Sequence, residues 1–67
     1  MTVIVSMHDG TTHRLDRDYS TDVVAHQINA MRESGLLVMF KDNQTPSREF
    51  WIDPARVESV WNDGYSY

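Results

Sequence analysis

The stretch VIVSMHDGTTHRL, residues 3–15, decides how this 67-residue chain begins to fold. Two runs of strand-forming residues flank the pair Asp9-Gly10. An Asp-Gly pair between two such runs is a strong signal for a β-hairpin, because both residues tolerate the backbone conformations of tight turns. The sequence therefore predicts that the chain opens with two antiparallel strands.

The register of this hairpin has two alternatives. A two-residue loop pairs Ile4 with Leu15, whereas a three-residue loop with its glycine in the left-handed conformation pairs Val3 with Leu15 and Val5 with His13. We expect the second register, because it gathers Val3, Val5 and Leu15 on one face of the hairpin. A slip of one residue would turn every side chain to the opposite face.

One helix is predicted, over residues 21–34. Ser20 is a suitable N-cap residue, and Gly35 is suited to the left-handed position just after a helix. Between them, apolar side chains recur at spacings of four and three residues and form one stripe. Helical periodicity of this kind occurs once in the chain.

Three more strands are predicted in the second half. Residues 36–40 are apolar at every position, which is typical of a strand covered on both faces. Residues 48–52 form the next strand, and residues 57–61 form the last one. A single helical turn capped by Asp53 and begun by Pro54 joins these two strands.

The predicted order is β-β-α-β-β-β, an α+β fold. We expect a single sheet of four to five strands with one helix packed on one face. The expected compact domain spans residues 1–61, and residues 62–67 form a loose C-terminal tail.

Composition excludes several classes of site. The chain has no cysteine, so disulfides and cysteine-based zinc sites are excluded. The net charge of −4 argues against a surface that follows a phosphate backbone. The first residues lack the pattern of a signal peptide, and no apolar run has transmembrane length, so we expect a cytoplasmic protein that does not contact membranes.

A frame of apolar and turn positions covers roughly the first sixty residues. It consists of Val3 and Val5, residues 20–24, residues 35–37, residues 50–57 and Val60. This frame resembles that of a family of small actinobacterial domains of unknown function and of uncharacterised proteins of phages that infect those bacteria. The resemblance implies a phage or bacterial accessory protein and brings no known activity with it. Trp51 falls within these ranges by position, but the two tryptophans and the aromatic tail are not features that the family shares.

The polar residues do not predict a catalytic or metal site. His8, His13 and His26 fall on the first turn, the second strand and the helix, so they do not converge. Ser6 lies near His13 across the hairpin, but such a pair without a third orienting group is usually a structural contact. We therefore expect no enzymatic activity, no cofactor, no bound metal and no small-molecule substrate.

Aromatic residues near the C-terminus give the sharpest hypothesis. If the apolar residues next to them in sequence face the helix, strand alternation sends Trp51 and Trp61 to the opposite face, which a single helix cannot cover. We predict an interaction surface that forms a homodimer or holds a host or phage protein. The candidate residues are Leu37, Met39, Trp51, Trp61, Tyr65 and Tyr67. The alternative is that the sheet curls into a partial barrel and buries these side chains within one chain.

A second hypothesis is nucleic-acid binding. In it the tryptophans stack on bases while Arg14, Arg48 and Arg56 contact phosphates. The net charge and the acidic residues beside these arginines argue against it.

Overall fold

The computed structural model describes residues 2–64 and contains one α-helix and five strands. In chain order these are β1 (Val3–Met7), β2 (Thr12–Arg14), α1 (Thr21–Met31), β3 (Val38–Lys41), β4 (Glu49–Ile52), a 3-10 turn (Pro54–Arg56) and β5 (Val57–Asn62). The α+β class and the predicted order of elements are confirmed within these residues. Strand β5 includes Asn62, the first residue of the predicted tail, and residues 65–67 lie outside the described part of the chain.

The β1–β2 hairpin has the register that we expected. Val5 pairs with His13, and the Leu15 N–H donates to the Val3 carbonyl at 2.9 Å. Gly10 has a φ of 91°, which is the left-handed conformation that the three-residue loop requires. Val3, Val5 and Leu15 are all buried, so this register delivers one apolar face to the core.

The tip of this hairpin is closed by the side chain of Asp9. Its carboxylate accepts hydrogen bonds from the Thr11 hydroxyl at 2.7 Å and from the Thr11 N–H at 2.9 Å. Both bonds favour the charged carboxylate, and the hydroxyl bond is the larger cause, so the pKa of Asp9 lies below its usual value.

The strands form two sheets, so the prediction of a single sheet of four to five strands is wrong. One sheet has the order β2-β1-β5 and the other consists of β3 and β4, with every pair antiparallel. The sheets meet at one isolated bridge between Leu15 and Asp42, beside which the Asp16 N–H donates to the Lys41 carbonyl at 2.9 Å. Pairing stops there because the chain turns away from β2 directly after Leu15.

The physical reason for two sheets is the coverage of the core. The His13 ring on β2 stacks on the Phe50 ring on β4 with centroids 4.8 Å apart, so the inner faces of the two sheets approach each other. Phe40 packs edge-on against Tyr19 with centroids 5.5 Å apart. This arrangement buries side chains of both sheets and of α1 together, which a flat sheet under one helix would not do. The core cluster consists of Val3, Val5, Met7, Leu15, Val24, Ile28, Val38, Phe40, Ile52 and Val57.

Helix α1 begins as predicted and ends earlier. Ser20 caps it by accepting a hydrogen bond at 3.3 Å from the N–H three residues later. The helix ends at Met31 rather than at residue 34, and the Ser34 hydroxyl donates to the Met31 carbonyl at 2.7 Å. Gly35, with a φ of 74°, then turns the chain toward β3.

Both ends of α1 are bonded to β5. The Arg32 guanidinium donates to the Val57 carbonyl at 3.0 Å, and the Asn62 amide donates to the Thr21 hydroxyl at 3.0 Å. These bonds fix the helix over the three-stranded sheet, and no helix or strand in residues 2–64 covers the outer face of the β3–β4 sheet.

The prediction that residues 36–40 form a strand covered on both faces is also wrong. Strand β3 begins at Val38, and only its inward side chains, Val38 and Phe40, are buried. Leu36 and Leu37 lie in the connection before it and are 59% and 55% exposed. On the other side of the run Met39 is half-buried, so this side is covered only in part by residues 2–64.

Two neighbouring valines test the packing of α1. Val24 is fully buried and Val23 is 62% exposed. We expect Val24→Ala to lower the free energy of unfolding by about 2 kcal/mol, because it leaves a cavity in the core. Val23→Ala should change it by less than about 0.5 kcal/mol. Urea unfolding followed by circular dichroism measures both, and equal losses would contradict this packing.

The turn carboxylate predicts a pH effect. Thr11→Val removes the hydroxyl donor, so we expect the pKa of Asp9 to rise toward its usual value. A depressed folded-state pKa gives stability that is present above the unfolded-state pKa and is lost as the pH falls through the folded-state value. This acid-sensitive contribution should therefore shrink in the variant. NMR titration of the carboxyl group measures the shift, and Thr12→Val, which removes no bond to Asp9, should leave it unchanged.

Candidate interaction surface

Trp51 lies on the outer face of the β3–β4 sheet. It pairs with Met39 on β3, while its sequence neighbours Phe50 and Ile52 point toward the core. The alternation that we predicted along β4 is therefore confirmed. The Trp51 side chain is 63% exposed, and its indole nitrogen has no hydrogen-bond partner within residues 2–64.

A shallow groove continues the apolar surface from β3 to α1. Leu37 and Met39 line one wall, and Ala30 and Met31 of the helix line the other, around a volume of about 460 Å³. Met39 belongs to the groove and also pairs with Trp51, so these positions are continuous. We call the apolar group of Leu36, Leu37, Met39 and Trp51 the Trp51 surface; Met39 is half-buried and the other three are exposed.

Charged side chains occupy the next pair on the same outer face. Lys41 on β3 is directly opposite Glu49 on β4, and both are exposed. Opposite charges at facing positions are favourable in a sheet. The Trp51 surface thus ends at a pair of residues whose charges balance.

Trp61 lies in the other sheet and has a structural role. Its indole N–H donates to the Ser6 hydroxyl oxygen at 2.9 Å, and it is 43% exposed. Trp61 pairs with Ile4, which is only 2% exposed although it lies outside the core cluster. Because Arg14 pairs with Ile4 on the other side, the two long side chains flank and shield this isoleucine.

The structure therefore divides the predicted candidate residues. It brings Leu37, Met39 and Trp51 together and places Trp61 in a different sheet. The prediction placed both tryptophans on one face because it assumed a single flat sheet, and the two sheets of the structure separate them. Tyr65 and Tyr67 lie outside the described residues. The alternative in which a curled sheet buries these aromatic side chains is wrong for both tryptophans, since each remains exposed.

Sequence reasoning missed Leu36 and the helix wall of the groove. The signal for Leu36 was present in Gly35, because a residue directly after a left-handed glycine lies in the connection and not in a strand. The groove had no sequence signal, since it depends on the angle at which α1 passes β3.

The histidines and the hairpin serine do not form one group, and Ser6 and His13 are diagonal positions on opposite faces of the hairpin. Ser6 accepts the Trp61 indole, His13 stacks on Phe50, and His26 is exposed on α1. Within residues 2–64 no group of three or more histidines, cysteines or acidic residues is arranged to hold a metal ion.

Two of the three arginines considered for phosphate contacts lie close to carboxylates. Arg14 is 3.9 Å from Asp63, and Arg56 is 3.6 Å from Asp53. A phosphate would have to compete with these carboxylates, so only Arg48 adds an unopposed positive charge to this set.

Comparisons with protein-family models, with curated proteins and with solved structures give no match for this chain. None of the helical segments in residues 2–64 has the length and apolar character needed to cross a membrane.

The hydrogen bond between Trp61 and Ser6 can be measured by a double-mutant cycle. Trp61→Phe and Ser6→Ala each remove one partner, and we expect a coupling free energy of about 0.5–1 kcal/mol in urea unfolding. A coupling of zero would show that this bond does not contribute to the fold.

Proposed function

We propose that this protein is a small non-enzymatic interaction module that forms a homodimer through the Trp51 surface. The observation that carries the proposal is the exposure of Trp51, 63%, beside Leu37, which is 55% exposed. The resemblance of the chain to actinobacterial and phage domains supports a role as a cytoplasmic accessory protein, as part of the same proposal.

Partial burial of the Trp51 indole against a second copy supplies a driving force for association. Apolar area removed from water stabilises a complex by about 25 cal/mol per Å², and tryptophan is among the residues most enriched at interface hot spots. Met39 pairs with Trp51, and Leu37 lines the same groove as Met39, so both extend the apolar area beside the indole. A contiguous exposed group of this kind typically marks an interaction site.

The size of the chain favours a second copy as the partner. A chain of 67 residues without cysteine has a small core and no disulfide to support it. Small domains commonly gain the missing stability from a second subunit. The balanced pair Lys41 and Glu49 beside the surface also suits a copy that carries the same pair.

The oligomeric state tests this proposal. We expect a dimer by size-exclusion chromatography with light scattering, and we expect Trp51→Glu to be a monomer, because the substitution places a carboxylate in the apolar contact. His26→Glu is the matched control, since it adds a carboxylate at an exposed position of α1 that does not line the groove, and it should stay dimeric.

Circular dichroism of each variant separates loss of dimer from loss of fold. A wild-type protein that is monomeric up to millimolar concentration would refute self-association. A dimer that persists in folded Trp51→Glu would place the contact elsewhere on the molecule.

A further inference from the structure

We propose that the two copies join edge to edge through β4, so that their β3–β4 pairs form one four-stranded antiparallel sheet. This inference rests on the proposed homodimer and specifies its geometry. It comes from the direction of the backbone hydrogen-bonding groups of β4.

The phase of the β3–β4 ladder sets those directions. The Asp42 N–H donates to the Arg48 carbonyl at 2.9 Å. In an antiparallel ladder, bonded and non-bonded pairs alternate, so the next pair along, Lys41 with Glu49, is non-bonded, and so is the pair that contains Trp51. The N–H and C=O groups of Glu49 and Trp51 therefore point away from β3.

The bonds of Lys41 establish the same phase independently. Its N–H donates to the Tyr19 hydroxyl oxygen at 2.9 Å, and its carbonyl accepts from the Asp16 N–H at 2.9 Å. Both partners lie on the side of β3 that faces away from β4. Neither the N–H nor the carbonyl of Lys41 is therefore bonded to Glu49, as a non-bonded pair requires.

These groups of β4 form an open edge. Within residues 2–64, β4 pairs only with β3, and the amides of Glu49 and Trp51 have no acceptor. Glu49 and Trp51 are also exposed. A row of unpaired backbone groups is a template for pairing with another strand.

Charge selects the register in which a second β4 fits. Two registers place the outer faces of both copies on the same side of the joined sheet. In the first, Trp51 lies opposite Trp51 of the second copy, and in the second it lies opposite Glu49 of the second copy. The first register places Glu49 against Asp53 of the second copy, which opposes like charges. The second register is free of this repulsion and has its two-fold axis at Phe50.

In the second register the two Trp51 surfaces become continuous. Each Glu49 lies between its own Lys41 and Trp51 of the second copy, and the two indoles are diagonal neighbours on one face. The contact is the same from both copies, as a closed dimer requires. This register also explains the effect expected of Trp51→Glu, because the new carboxylate at position 51 would lie opposite Glu49 of the second copy.

Hydrogen exchange resolved by residue tests the edge contact directly. In the wild-type dimer we expect the amides at positions 49 and 51 to exchange at least about tenfold more slowly than in monomeric Trp51→Glu. Amides at positions 50 and 52, which already bond to β3, should change by a smaller factor. A dimer whose amides at 49 and 51 exchange as fast as in the monomer overturns the edge contact and leaves the proposed function standing. A monomeric wild type overturns both.

A proline substitution provides a second test. Glu49→Pro removes an N–H that points away from β3, so the β3–β4 pairing keeps all its bonds. We expect dimer affinity to fall at least about tenfold in light scattering across a dilution series, with the circular dichroism spectrum unchanged. Glu49→Gln removes the charge and keeps the N–H, and it should retain the dimer. An unchanged affinity in folded Glu49→Pro would contradict the edge contact.

Discussion

The register of the β1–β2 hairpin is the constraint on which the rest of the structure depends. Side chains alternate along a strand, so this register decides that Val3 and Val5 face the core while Ile4 and Ser6 face outward. Strand β1 also pairs with β5, so the same register places Trp61 beside Ile4. The outer face of this sheet is thereby closed by its own side chains.

The division into two sheets produces the other surface. A single bridge links the strands at Leu15, and beyond it the β3–β4 pair lies over the core instead of extending the first sheet. Within residues 2–64, Phe40 and Phe50 are thereby packed with one helix and no further layer of structure. The same arrangement exposes Trp51 on the outer face of β4, and one edge of that strand has no partner strand in the described part of the chain.

The two tryptophans show how similar positions acquire different roles. Both alternate with core residues on their strands, yet Trp61 donates to Ser6 and shields Ile4, while Trp51 has no hydrogen-bond partner within residues 2–64. An indole that is bonded and covers a buried neighbour belongs to the fold. An indole exposed beside other apolar side chains leaves apolar area that a partner can remove from water. The proposed contact therefore centres on Trp51.

Sequence by itself determined the order of the elements, the hairpin register, the cap at Ser20 and the outward direction of Trp51, because each depends on neighbours a few residues away. Met39 and Leu37 could be assigned to the surface for the same reason. Only the tertiary structure decided that the strands divide into two sheets, that Trp61 leaves the common face and that a groove forms beside α1. These features depend on contacts between distant segments, such as Leu15 with Asp42, and on which element covers each face of a sheet. The spacing of neighbouring residues carries no information about either.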